Sequence, residues 1–428
     1  MIDKIKNIFS RKKTPQELHR EATGRKLTES LKAPEQVIIP MKMHEGRECD
    51  CLVKAGDYVK IGQIIGASCD PNAVPVHSTV SGIVKAVEKM NIGYDIDVLC
   101  AVIDNDGKNT ACALIPHDDW ESMSFEELID IIREAGIAGH GTDERPPHVK
   151  IHDALGKTRM LIINGEENAM YESSTYRIMI ENPDKLIGGI RILLRIFPKA
   201  KCCITLSRES REAEGVLNRV IGSDSRIKVK LMNPRYIPLS DSQLIKAVTD
   251  VEESKCLVMN AETAMNIYRA VAEGRQMLTK IVTVSGSAIT RPKNLKVRIG
   301  TPLKYLIKSA EGFKEEPSRI IIGDPMTGIE QTSLEIPVTK STNSLIAILD
   351  GEQRENRDAK CIRCGRCVSV CPSKLMPLYI YENALKANYK KCASLGVSDC
   401  IECGACTFEC PAEIDLTGVF REVKSKIQ

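Results

Sequence analysis

Two cysteine runs near the end of the chain set the strongest constraint on its fold. They read Cys361-Ile-Arg-Cys364-Gly-Arg-Cys367-Val-Ser-Val-Cys371-Pro372 and Cys400-Ile-Glu-Cys403-Gly-Ala-Cys406-Thr-Phe-Glu-Cys410-Pro411. Each follows C-x2-C-x2-C-x3-C-P, the spacing by which two-cluster ferredoxins hold [4Fe–4S] cubanes. Three thiolates come from one tight loop and the fourth from the other run. The spacing therefore predicts one cluster on Cys361, Cys364, Cys367 and Cys410, and a second on Cys400, Cys403, Cys406 and Cys371. The two runs must then fold against each other, and the chain is expected to move single electrons. Zinc also takes C-x2-C pairs, but it wants two pairs per tetrahedral site, which three cysteines plus a Cys-Pro fit poorly. A disulfide framework needs an oxidising compartment, and no secretory signal opens the chain.

Composition narrows the remaining choices. A chain of 428 residues predicts two to four domains. Aromatic residues make up only 4% of it, with a single tryptophan, Trp120, so an aromatic nucleic-acid platform is not expected. The net charge of +3 is too small to imply a nucleic-acid partner. The nine cysteines outside the runs show no repeated ligand spacing, and are expected as buried reduced thiols in a cytosolic or anaerobic setting. Cys392, close before the second run, reads as packing rather than as a ligand. No apolar stretch approaches the roughly 20 residues that span a bilayer. The expected location is therefore cytoplasmic, with any membrane association peripheral. Ile2, Ile5, Ile8 and Phe9 share a possible helix face among Lys4, Lys6, Arg11, Lys12 and Lys13, a pattern that suits an interfacial or docking helix or a solvated terminus.

Patterning along the chain divides it into five segments. Residues 1–35 are charged and poor in large core residues, and read as a basic tail. Residues 36–105 carry short alternating segments broken by Gly-Asp and Gly turns, which predict a small all-β module. Its two halves resemble the biotinyl/lipoyl-type barrel-sandwich. The turn that would bear a carrier lysine reads His77-Ser-Thr-Val-Ser-Gly82, so a scaffold is expected rather than a swinging arm. From 120 to 280, strands such as Met160–Asn164, Cys203–Leu206, Ile227–Leu231 and Cys256–Asn260 alternate with helical periodicity at Glu126–Ala135 and Pro183–Ile196, which predicts an α/β sheet domain. Residues 281–349 read as a compact β-rich unit. A charged linker at 350–360 leads into a cluster domain over 355–428. The span Met376–Ala393 between the cysteine runs is helix-compatible, with Pro377 in the first turn, so an α-helical ferredoxin-type unit is expected.

This order resembles the C subunit of the Rnf ion-pumping electron-transport complex, over nearly the whole chain after residue 35. The supporting segments are Met259-Asn-Ala-Glu-Thr-Ala-Met-Asn-Ile-Tyr-Arg-Ala-Val-Ala-Glu-Gly274, Thr283-Val-Ser-Gly286, Val297-Arg-Ile-Gly-Thr-Pro302, Gly323-Asp-Pro-Met-Thr-Gly328 and both cysteine runs. The resemblance implies that the central domain is similar to the NADH- and FMN-binding domain of the respiratory complex I flavoprotein. It implies that the small β unit is a β-grasp module of the soluble-ligand-binding (SLBB) type. Redox protein partners and peripheral association with a membrane complex are implied as well. The family also holds reductase-associated carriers, including those linked to proline reductase.

Three departures from the family pattern fall on its nucleotide site. The family's loop reads G-x-G-G-A-x-F-P-T-H-V-K, whose glycines let backbone N–H groups approach a phosphate. Here it reads Gly136-Ile-Ala-Gly-His-Gly-Thr-Asp-Glu-Arg-Pro-Pro-His-Val-Lys150. Gly139 and Gly141 keep its start, while Asp143 and Glu144 put negative charge where phosphate would sit. The motif N-G-A-E-C-E-P-Y becomes Asn164-Gly-Glu-Glu-Asn-Ala-Met-Tyr171, and Y-P-x-G-x-E-K-Q-L-I becomes Tyr236-Ile-Pro-Leu-Ser-Asp-Ser-Gln-Leu-Ile245. The expectation is a weakened or lost NADH and FMN site, with the chain serving as an electron relay. The alternative is an FMN-dependent, NADH-oxidising subunit of an ion-translocating complex. In that case FMN or NADH would meet Gly139, Gly141, Asn164, Glu166, Glu167 and Asn260 in a modified site.

Overall fold

A computed structural model describes residues 21–93, 97–139, 144–167, 170–232, 240–325, 327–349 and 360–427. The amphipathic segment expected within residues 2–13 lies outside them, as do Gly141 and Asp143.

The first unit is built from short antiparallel strands in two sheets. One runs Gln36–Pro40, Asp97–Asn105, Gly82–Asn91, Tyr58–Val59; the other runs Asp50–Cys51, Ile64–Ala67, Val76–His77. Gly82 holds φ +154, and a Cβ there would lie 1.8 Å from the Asp104 carbonyl oxygen, so the strand can start this close to its neighbour only as glycine. The turn at 77–82 is fully enclosed, and the Thr79 hydroxyl donates to the Ile299 carbonyl at 2.7 Å. A turn clamped onto the β-grasp unit cannot swing.

The α/β domain follows. Its four strands are all parallel, in the order Ile227–Met232, Lys201–Ser207, Met160–Asn164, Cys256–Asn260. Leu161, Ile162 and Ile163 have no solvent exposure, as expected of a sheet covered on both faces. Helix Phe125–Glu134 starts at a reciprocal capping box between Ser124 and Glu127. Helices Pro183–Ile196 and Ala261–Val271 cross closely at Gly188 and Gly189, where any Cβ would strike Tyr268 or the Ala264 backbone. One buried core joins this domain to the barrel-sandwich, from Val37 to Ile299.

The β-grasp sheet has six strands, in the order Glu29–Ser30, Lys293–Arg298, Thr279–Ser285, Ser344–Ile348, Arg319–Ile322, Ile329–Glu330. Its first strand comes from the segment expected to be a tail, so the described part of that segment is integrated into the fold. Glu29 and Ser30 pair in parallel with Leu295 and Lys296, and Thr23 is buried with its hydroxyl 2.7 Å from that of Ser173. Two strand residues bury little apolar surface, and a backbone ladder leaves no mark in composition, so the charge pattern does not disclose this strand. Lys340, from the same unit, reaches back beneath the barrel-sandwich and donates to the Pro75 carbonyl at 3.3 Å. Burial pushes its ammonium down to about 8.

The last unit is helical among the described residues: Arg366–Val370, Pro377–Leu385, Tyr389–Ser394, Ala405–Phe408 and Leu416–Ile427. The helix-compatible span 376–393 is two helices rather than one. The chain breaks at Lys386–Asn388, where Ala387 takes φ 50, and Asn388 then caps the second helix through the Lys391 N–H. Cys392 has no exposure and packs with its thiol on the Ile380 carbonyl. Of the other cysteines outside the runs, Cys49, Cys100, Cys202 and Cys203 are buried, whereas Cys69 is exposed, against the expectation.

Candidate functional site

The two cysteine runs adopt the same local geometry, offset from one another along the chain. Each has its glycine in the left-handed region, Gly365 at φ 75 and Gly404 at φ 77, immediately before a short helix carrying the third cysteine. Arg363 and Glu402 also share a left-handed φ of 54 and 53. This tight curl brings the three cysteines of each run into one loop.

Cys371, from the first run, lines one cavity together with Cys400, Cys403 and Cys406 of the second. Pro372, Leu375, Pro377, Thr417 and Phe420 complete its wall. The Leu375 N–H donates to the Cys371 sulfur at 3.3 Å, and the Thr417 hydroxyl lies 3.9 Å from the Cys406 sulfur. Such donors to cluster sulfurs tune reduction potential. Burial pushes the Cys406 thiol up to about 12. On the other side Cys361, Cys364 and Cys367 form the loop. Burial raises the Tyr381 phenol, and Cys361 and Cys410 add to the rise; both cysteines pack against the hydrophobic cluster that holds Tyr381 and Cys367. Among the described residues no group of three or more His, Cys, Asp or Glu side chains is gathered tightly enough for a single metal ion.

The central site lies at the carboxyl ends of the parallel strands. Strand Met160–Asn164 leads to its neighbours on one side, while Cys256–Asn260 lies on the other, so the crevice between them is the topological switch point where open α/β sheets bind ligands. Asn164 and Asn260 face each other in register at that point. The Asn164 carboxamide oxygen accepts the Glu166 N–H at 3.0 Å and fixes the following turn. Gly165 has no room for a side chain, because a Cβ would lie 2.7 Å from the Thr205 carbonyl and from Leu206. The Glu167 carboxylate accepts the N–H groups of Tyr176 at 2.7 Å and Thr175 at 3.3 Å, capping helix Ser174–Glu181. Gly139 is buried, and Glu144 accepts the Glu45 N–H through its carbonyl at 3.0 Å. Lys150 extends its ammonium to 3.4 Å from the Val258 carbonyl and 3.7 Å from the Asp241 carboxylate. Arg145 is paired with Asp153.

Several buried groups here escape the sequence reading. Glu172 is enclosed and accepts the Ser174 hydroxyl at 2.7 Å. Burial and then the Glu167 charge push its carboxyl up to about 8. Glu262 and Lys280 form an ion pair with 3% and 0% exposure. Glu172 lies just beyond the motif that ends at Tyr171, and an ion pair between residues 18 positions apart carries no local signal.

Comparison with known proteins follows these units. Residues 14–108 match the RnfC barrel sandwich hybrid domain, 132–269 the Nuo51 FMN-binding domain, 281–330 the SLBB domain and 354–411 the 4Fe-4S dicluster domain. The C subunit of the Na(+)-translocating ferredoxin:NAD(+) oxidoreductase complex of Acetobacterium woodii is 35% identical over 92% of this chain and 92% of its own length. The C subunit of the proton-translocating ferredoxin:NAD(+) oxidoreductase complex of Clostridium ljungdahlii is 32% identical over 83% of this chain and 80% of its own. A solved NAD+-reducing [NiFe]-hydrogenase aligns with TM-score 0.48 at 15% identity, over 73% of this chain and 65% of that one. With a barrel-sandwich, an FMN-domain-like α/β unit, an SLBB unit and a dicluster domain in one chain, at this identity over this length, the chain belongs to the RnfC family, the C subunits of ion-translocating oxidoreductase complexes.

Proposed function

We propose that this protein relays single electrons between protein redox partners through two [4Fe–4S] clusters, and that its NADH and FMN site is weakened. One cluster is assigned to Cys361, Cys364, Cys367 and Cys410, the other to Cys400, Cys403, Cys406 and Cys371. The observation that carries the reading is the cavity that Cys371 shares with the three cysteines of the other run. A cubane supplies reversible one-electron chemistry when bound. The protein's part is to hold four thiolates around it, to exclude water with Leu375 and Phe420, and to direct N–H groups at sulfur.

A bound FMN phosphate wants small residues, backbone N–H groups and positive potential. The loop that would cradle it carries Asp143 and Glu144 instead, and the Glu167 carboxylate is engaged by the N–H groups of Thr175 and Tyr176. This donor set fits the phosphate poorly and supports a weakened site. The second reading is an FMN-dependent, NADH-oxidising subunit. It is favoured by the match of 132–269 to the FMN-binding domain and by Asn164 and Asn260 at the switch point. Gly139, Gly141, Glu166 and Glu167 would then complete the site with them.

The named relatives are subunits of ion-translocating complexes. No described helix is long and apolar enough to cross a membrane. Association with such a complex would be peripheral. Titration calorimetry with FMN and NADH, paired with dye reduction by NADH, tests the choice. No binding and no dye reduction, with clusters that accept electrons from dithionite, fits the relay. Micromolar binding of both with dye reduction overturns it in favour of the second reading.

A further inference from the structure

The two halves of the cluster domain repeat one backbone with inverted charge. Residues 360–374 carry four basic side chains, Lys360, Arg363, Arg366 and Lys374, and no acidic one. The corresponding residues 399–413 carry four acidic ones, Asp399, Glu402, Glu409 and Glu413, and no basic one. The inversion extends to an ion pair. Arg363 pairs with Glu382 on helix Pro377–Leu385, and at the equivalent place Glu402 pairs with Arg421 on helix Leu416–Ile427, both across 19 residues. Lys424 adds a second cation to Glu402, at 2.9 Å. The acidic loop is thus partly neutralised from its own helix. On the basic loop Lys360, Arg366 and Lys374 stand exposed beyond the paired Arg363.

Burial differs in the same sense. In the first loop Cys364 is exposed, and Ile362 presents 65% of its surface. In the second, the equivalent Cys403 is half-buried and Ile401 presents 43%, while the third cysteines, Cys367 and Cys406, are buried alike. The domain touches the rest of the protein on the second cluster's side. There Gln243, in the α/β domain, donates to the carbonyl of Pro372 at 3.0 Å, and Pro372 lines the cavity holding Cys371, Cys400, Cys403 and Cys406. The second cluster's cavity therefore borders the α/β domain at Pro372, and the first loop is the more exposed of the two, with basic side chains flanking an apolar residue.

We propose that the Cys361–Cys364–Cys367 loop, with Lys360, Ile362, Arg366 and Lys374, is the docking port for a small acidic one-electron carrier protein. The inference rests on the relay reading given above. With a cluster held by Cys361, Cys364, Cys367 and Cys410, one electron would cross between it and the carrier, one being oxidised as the other is reduced, with no bond or proton moved. Complementary charge accelerates such an encounter by 10- to 1,000-fold, and salt screens it, with a Debye length of about 10 Å at 0.1 M.

The test uses the full chain with both clusters reconstituted, and a reduced, strongly acidic bacterial two-cluster ferredoxin as the probe. Stopped-flow absorbance gives the second-order rate as ionic strength is varied. The expected result is a rate that falls steeply with salt. It drops at least tenfold at low salt in the K360E/R366E variant, which also loses most of the salt dependence. D399K/E413K, at the equivalent positions of the other loop, keeps the parent rate within threefold. Equal rates for parent and K360E/R366E, or an equal loss in D399K/E413K, overturns the port. Dithionite reduction separates this from the relay reading. Clusters that dithionite fills but the ferredoxin cannot reach sink the port alone, whereas clusters that no reductant fills sink the relay.

Discussion

Replacing Glu172 with glutamine tests the electrostatics of the central domain. The carboxyl is 1% exposed and accepts the Ser174 hydroxyl. Its charged neighbours are Glu167 and Glu262, which oppose ionisation, and Lys280, which favours it but is paired to Glu262. In the folded protein the group holds its proton up to about 8, whereas its ordinary value is 4.5. Between those values the folded state carries a proton that the unfolded chain has lost, so stability must fall as pH rises through that window. At about 1.36 kcal/mol for each tenfold change in protonation, the upper bound is about 5 kcal/mol by pH 8. Glutamine keeps the shape and the acceptor without the titration. The stability gap in favour of E172Q should be near zero at pH 4.5 and widen by several kcal/mol, up to that bound, toward pH 8. Trp120 is the only tryptophan and packs on the core of this domain. Its fluorescence during anaerobic urea unfolding at stepped pH therefore reports the right region. A gap that stays flat from pH 5 to 9 would refute the argument and mean that Glu172 is ionised and paired in the fold.

Other substitutions probe packing and charge. Lys280→Met leaves Glu262 buried without its partner and should cost about 3–5 kcal/mol, most of it recovered by adding Glu262→Gln; urea midpoints of the single and double variants check this. Gly189→Ala forces a Cβ that would lie 1.8 Å from the Ala264 carbonyl oxygen, so the two helices must part, at about 1–3 kcal/mol. Gly215→Ala, in helix Arg211–Ile221 with nothing within 4 Å, should instead stabilise by about 0.5–1 kcal/mol, and thermal unfolding should move the pair in opposite directions.

What the sequence disclosed depends on the range of the interaction. The Met160–Asn164 strand and the Pro183–Ile196 helix were legible because burial on both faces and a 3.6-residue period are written in consecutive residues. The cysteine runs were legible because one inorganic core dictates ligand spacing locally. The Glu29–Ser30 strand was not, since it is held by backbone pairing to residues more than 260 positions away. Glu167 reads as a nucleotide-site residue by motif position, and what the letters do not show is that its carboxylate accepts N–H groups at the N-terminus of the next helix. The charge inversion between the two cluster loops is present in the letters, but the reversal of one ion pair, Arg363–Glu382 against Glu402–Arg421, depends on how each loop meets its helix.

The account turns on two clusters that share ligands between runs. Iron, sulfide and EPR analysis of anaerobically reconstituted protein, parent against Cys371→Ser, tests it most directly. The account predicts about eight iron and eight sulfide per parent chain. In the variant it predicts selective damage to the cluster of Cys400, Cys403 and Cys406, although residue 371 lies in the other run. Loss confined to the Cys361, Cys364 and Cys367 cluster, or zinc in place of iron and sulfide, would contradict it.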